Sequence, residues 1–169
     1  MSAAGISMFY AGLDLATAKA EVTANLDSAS RKYLTAGTWT NTQPLRVLDL
    51  SRLPSAPHFY DQRRYYRDQL LFLKNFVEDI TQPVSHDGHE HIDYVPTQIL
   101  TEYFRLRYKA DDDNRLHAII YPSAQRRRGR SIVIFTSHKE LNPRPDGWPR
   151  PEPPILELDT ASIRRVTRP

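Results

Sequence analysis

Residues 117–135, His117-Ala-Ile-Ile-Tyr-Pro-Ser-Ala-Gln-Arg-Arg-Arg-Gly-Arg-Ser-Ile-Val-Ile-Phe135, set the reading of the fold. Two apolar runs rich in β-branched side chains flank an arginine-rich loop, which predicts strands over 117–121 and 131–135 joined as a hairpin. Working outward, Pro44-Leu-Arg-Val-Leu-Asp-Leu50 reads as another strand. Residues 32–39 read as extended, with a bend at Gly37, and residues 6–10 as a short buried strand. Asp14 suits the N-cap of a helix running to about Val22.

Two stretches change to helical periodicity. From Asp61 to Ile80 the residues Tyr65, Leu70, Leu73, Phe76, Val77 and Ile80 recur at three- and four-residue steps, predicting one apolar face. A second main helix is expected to begin at Pro96, with Ile99, Leu100, Tyr103, Phe104 and Leu106 buried. Strands and two main helices are intermixed without a regular βαβ rhythm. The expected class is therefore α+β, one domain around a compact mixed or antiparallel sheet.

Composition bounds the function. A chain of 169 residues with 40% hydrophobic and 25% charged residues matches one soluble globular domain. A formal net charge of +3 speaks against an arginine-driven nucleic-acid binder. The lack of cysteine excludes disulfides, thiolate nucleophiles and zinc–thiolate sites. With neither a long apolar run nor a signal-peptide pattern, the expected setting is cytoplasmic and off the membrane. The prolines concentrate after Asn142, so residues 139–169 read as a proline-rich extension after a domain over 1–138. Within that extension, residues 155–159 and 163–166 could supply an edge strand. His86, His89 and His91 lie in a Gly- and Asp-containing loop and read as solvated, with no metal expected.

Three residues carry candidate chemistry. Tyr10 ends the first strand, Glu21 sits on the first helix, and Ser123 follows Tyr121-Pro122. A carboxylate facing a packed strand beside a phenol and an alcohol suits a site where positive charge develops on a substrate. Each has a plainer reading: Glu21 as a solvent-facing helix residue, Tyr10 as a rim or core aromatic, Ser123 as a strand-end hydroxyl, and Tyr121 as core filling.

The segment Ala4-Gly5-Ile6, Phe9-Tyr10-Ala11 and Thr17-Ala18-Lys19-Ala20-Glu21-Val22 resembles the opening of the RES domain. In the family's order, residues 44–50, Asp93-Tyr-Val-Pro-Thr-Gln98 with Glu102-Tyr103, Tyr121-Pro-Ser123 and Ile132-Val-Ile-Phe135 extend the resemblance to roughly residues 4–137. RES domains are known as toxins of bacterial toxin–antitoxin pairs, with a fold similar to ADP-ribosyltransferases. The resemblance implies NAD as substrate, cleaved at the nicotinamide–ribose bond by hydrolysis, phosphorolysis or ADP-ribose transfer. It also implies an antitoxin partner with a helix-turn-helix domain. The glutamate of the family name matches Glu21, its serine Ser123, and a tyrosine near the nicotinamide Tyr10. The family arginine would fall immediately before Met1, so the domain is expected to begin upstream of this chain.

Cleavage of that bond passes through an oxocarbenium-like state, which a fixed carboxylate stabilises; Glu21 is assigned that role. Tyr10 could stack on the nicotinamide, and Ser123 could bond the ribose or orient Glu21. Arg31, Lys32 and the Arg126–Arg130 loop are the cations considered for the pyrophosphate, Arg31 foremost. The alternative is a catalytically impaired RES-like module that only binds a partner protein or NAD.

Overall fold

The computed structural model describes residues 6–24, 33–82, 95–108, 115–136, 141 and 154–167. Along the chain run β1 (Phe9–Gly12), α1 (Leu15–Ala24), β2 (Tyr33–Asn41), β3 (Val47–Asp49), α2 (Arg67–Thr81), α3 (Val95–Leu106), β4 (Ala118–Pro122), β5 (Arg130–Ile134) and β6 (Leu156–Thr167). Short 3-10 turns occupy Leu50–Arg52 and Arg64–Tyr66. The class is α+β, as the intermixed periods predict.

The expected hairpin is the centre of a four-stranded sheet ordered β1-β5-β4-β3. Antiparallel pairing sets Ile119 opposite Val133 and Tyr121 opposite Ser131. β1 closes one edge antiparallel to β5, and β3 lies parallel to β4 on the other side. A parallel neighbour needs a long crossover, and the chain between β3 and β4 supplies it with α2 and α3.

Strand alternation sends side chains to two cores. On the helix side, Ile119 and Val133, both at 0% exposure, pack with Leu50, Phe76, Phe104 and Leu116. On the other side, Ala118 and Ile134 join Leu156, Phe9 and Trp39, the last two edge-to-face with centroids 5.0 Å apart. Trp39 and Leu156 come from a separate two-stranded ribbon in which β2 pairs with β6. The expected bend at Gly37 is a register shift between Ala36 and Thr38. Residues 156–167 do not extend an edge of the main sheet but pair with β2.

Several expectations need correction. The first strand spans Phe9–Gly12 rather than 6–10, because its ladder with β5 runs on to Gly12, opposite Ser131. The helix expected from Asp61 begins at Arg67; before it, Asp61 accepts the Arg63 amide at 2.8 Å and the backbone turns as 3-10. Tyr65 is consequently 63% exposed instead of buried. In α3 Thr101 and Phe104 are buried with Leu100 partly buried beside them, whereas Ile99, Tyr103 and Leu106 are exposed. Two helices share one face of a small sheet, so each buries a narrower stripe than its apolar content suggests. The histidine loop, Arg31, Lys32 and most of the proline-rich tail lie outside the described residues.

Phe76 and Ile99 test this division of the helices. Phe76→Ala is expected to lower unfolding free energy by about 3–5 kcal/mol. Ile99→Ser should change it by less than about 0.5 kcal/mol. Urea denaturation followed by far-UV circular dichroism reads both.

Candidate functional site

α1 begins where the sequence places its cap. Asp14 Oδ1 accepts the Thr17 amide at 2.9 Å, and its Oδ2 accepts the Thr17 hydroxyl at 2.7 Å. These bonds hold the Asp14 carboxyl below its ordinary value of 3.8, helped by the Arg126 guanidinium. Alanine-rich and short-chained, the helix comes down almost onto β1. A Cβ added to Gly12 would lie 2.4 Å from the Ala18 backbone nitrogen, so only glycine permits this approach.

The β4–β5 loop meets the same helix start. Arg126 Nη1 donates to Asp14 Oδ2 at 3.3 Å and to the Thr17 hydroxyl at 3.2 Å, with Thr17 fully buried. Arg128 holds a left-handed φ of 63°, and a Cβ on Gly129 would sit 2.7 Å from Thr17 Oγ1. The loop therefore turns tightly against α1.

That seating brings two predicted residues together across about a hundred positions of sequence. Ser123 Oγ donates to Glu21 Oε1 at 2.5 Å. Ser123 Oγ also accepts the amides of Gln125 at 3.2 Å and Arg126 at 3.0 Å. A serine hydroxyl has one proton and two acceptor positions, so these three bonds use its full capacity. Ser123 thereby links the loop backbone to the carboxylate.

Two residues read otherwise in the sequence also belong to the cluster. Ser131, 3% exposed, has its hydroxyl 3.4 Å from Glu21 Oε1. Tyr121 lies opposite Ser131 in the ladder. Its phenol is pushed far above the ordinary value of 10.0, first by burial and then by the Glu21 carboxylate and Tyr10, so it stays protonated. The plain core-filling reading of Tyr121 thus gives only its packing. Its i, i+2 relation to Ser123 was the available signal, since alternate strand residues share a face. Nothing in the sequence pairs Ser131 with Tyr121, because strand register is a long-range property.

Tyr10 lies at the edge of this cluster, 44% exposed, with its hydroxyl 4.0 Å from the Met8 sulfur. It also lines a cleft of about 600 Å³ between α1, β1 and the β2–β6 ribbon. Glu21 and Ser123 are not among that cleft's walls, so Tyr10 joins the two regions. Lys19 of α1 and Arg164 of β6 are cations on the cleft walls, beside Trp39. Within the arginine loop, Arg126 is held by Asp14 and Arg130 lies 3.8 Å from Asp49. Among the described residues no cluster of His, Asp or Glu could hold a metal ion, and no helix is long and apolar enough to cross a membrane.

The RES domain family model matches residues 1–155, most of the chain. The protein belongs to the RES domain family. No curated protein and no solved structure matches it.

The Asp14 cap has a pH signature. With its folded carboxyl held below 3.8, its contribution to stability is complete above that value and is lost as pH falls through the lower folded value. The denaturation midpoints of wild type and Asp14→Asn should therefore differ at pH 6 and converge as acid is added. Parallel midpoints across the acid range would refute the assignment.

Proposed function

We propose that the protein cleaves the nicotinamide–ribose bond of NAD, with Glu21 stabilising the charge that develops on the sugar. Membership of the RES family, whose members are known to act on NAD, motivates the reading. The observation that carries it is the Ser123–Glu21 hydrogen bond of 2.5 Å, which joins the two matched family residues in one cluster.

In the step, the C1′–N bond breaks and nicotinamide leaves with the bonding pair as a neutral base. Positive charge then spreads over C1′ and the ring oxygen. A carboxylate fixed beforehand needs no reorganisation to meet that charge, so its attraction grows from ground state to transition state. An acceptor oxygen adds to C1′ and releases a proton; water, phosphate or a protein group would each balance the equation.

Ser123 fits the positioning role better than a ribose contact, since its hydrogen-bond capacity is already used. Tyr10, on the cleft wall and 44% exposed, suits stacking on the nicotinamide. The phosphate-bearing part of the dinucleotide would enter the cleft, where Lys19 and Arg164 are the cations at hand. Arg126 is already held by Asp14 and Thr17, and Arg31 lies outside the described residues. A helix-turn-helix antitoxin partner belongs to the same proposal and rests on the family resemblance alone, while a cytoplasmic setting rests on the sequence having neither a long apolar run nor a signal-peptide pattern.

The test follows nicotinamide release from NAD by the purified protein. Glu21→Gln, nearly isosteric and neutral, should slow release by about 10²-fold or more. Ser123→Ala should lower kcat by about tenfold through a loosened carboxylate, with KM changed less. Release by Glu21→Gln at the wild-type rate would end the proposal. Binding of NAD without turnover by wild type would favour the interaction-module alternative.

A further inference from the structure

We infer that Arg126 is a positioning residue for Glu21: its guanidinium pins the β4–β5 loop to the start of α1, and its backbone amide fixes which way the Ser123 hydroxyl points. The inference deepens the proposed function and rests on it for its catalytic consequence, while the clamp itself can be tested without substrate.

One residue holds both sides of the contact. Arg126 Nη1 stands 3.2 Å from Thr17 Oγ1, and 3.4 and 3.3 Å from the two carboxylate oxygens of Asp14. Its amide donates to Ser123 Oγ at 3.0 Å, and its carbonyl accepts the Gly129 amide at 2.9 Å. The Gly129 carbonyl in turn accepts the Ser123 amide at 2.9 Å. Arg126 therefore ties the helix start, the serine and the other arm of the loop into one unit.

Direction follows from counting protons. The amides of Gln125 and Arg126 can only donate, so they fill the two acceptor positions of Ser123 Oγ. What remains of that hydroxyl is its proton, and Glu21 Oε1 at 2.5 Å receives it. Were the loop to shift along α1, the amides would move with it and the proton would be aimed elsewhere. Thr17 obeys the same count. Its proton goes to Asp14 Oδ2 at 2.7 Å, which leaves its lone pairs to Arg126.

Nη1 alone carries two N–H donors, enough for one carboxylate and one hydroxyl. A cation beside a helix N-terminus opposes the helix dipole, so stabilising α1 is a poor reason for an arginine here. Seating the loop is the better one. The Arg126 and Asp14 side chains are 43% and 48% exposed, so water screens the pair and the clamp is weak taken alone. Its kinetic effect should be correspondingly small, and smaller than that of removing the Ser123 hydroxyl through which it acts.

Kinetics of nicotinamide release test the route. Arg126→Ala should lower kcat by roughly two- to fivefold with KM near wild type, the scale of an exposed ion pair. The loss should disappear when the same substitution is made in Ser123→Ala. Thr17→Val, close in shape but lacking the hydroxyl, should reproduce the loss, and Thr17→Ser should restore the wild-type rate. A KM effect larger than the kcat effect would make Arg126 a contact of the dinucleotide. That result, or a kcat loss that multiplies unchanged with the loss of Ser123→Ala, overturns the inference.

Urea denaturation midpoints read the clamp without substrate. The shifts of Arg126→Ala and Ser123→Ala should be non-additive, and so should those of Arg126→Ala and Thr17→Val. Additive shifts in either pair overturn the clamp. Should Thr17→Val, at a buried position, fail to fold, the Arg126–Ser123 pair decides alone. Wild type that releases no nicotinamide would remove the proposed function, and the midpoints would still decide whether Arg126 holds the serine.

Discussion

The site depends on how closely α1 lies on the sheet. At Gly12 the helix backbone occupies the space a Cβ would need, with Ala18 nitrogen 2.4 Å from that position. Raising the helix by one methyl group would lift Glu21 away from the strands beneath it. The Ser123–Glu21 bond at 2.5 Å leaves little room for that. Small residues around the contact, Ala11 on the strand and Ala16, Ala18 and Ala20 on the helix, let the two backbones meet while keeping good helix propensity.

A second constraint holds the loop that carries Ser123. Arg126 reaches back to Asp14 and Thr17 at the start of α1, while Ser123 reaches forward to Glu21 nearly two turns along it. The hairpin loop is thus tied to the same helix at two points. Closing a contact over a hundred residues adds only a slowly growing entropy cost, so such ties are tolerable once the sheet has formed. Gly129 removes the side chain that would collide with Thr17, and Arg128 takes the left-handed turn just before it.

Much of this was legible in the sequence because it is local. Asp14 declares its cap through Thr17 three residues on, and β4 and β5 declare themselves through β-branched runs. The pairing of β2 with β6 was not legible: Trp39 faces Leu158 across more than a hundred residues, and neither strand says which partner it takes. Exposure in α3 was misread for a related reason. Its apolar residues cover a wide arc, and only the partner surface decides that Phe104 is buried and Leu100 packs against the core while Ile99 and Tyr103 are exposed. At the site, the matched family positions gave Glu21 and Ser123, which meet. Tyr121 and Ser131 escaped because their significance lies in register, a property of two strands and not of either one.

The distribution of charge around Glu21 bears on what the cluster can do. The loop contains four arginines between residues 126 and 130, and two serine hydroxyls, of Ser123 and Ser131, stand 2.5 Å and 3.4 Å from Oε1. Arg126 is directed to the helix cap and Arg130 towards Asp49, where they brace the loop and the sheet edge. An arginine on Oε1 would fix the carboxylate equally well, but it would also offset the negative charge. Hydroxyls orient through a dipole and carry no charge of their own. Burial and the nearby carboxylate keep the Tyr121 phenol protonated, so it adds no second anion beside Glu21. A carboxylate held in place beforehand needs no reorganisation to meet a positive charge, which is what the proposed loss of nicotinamide from a sugar would bring.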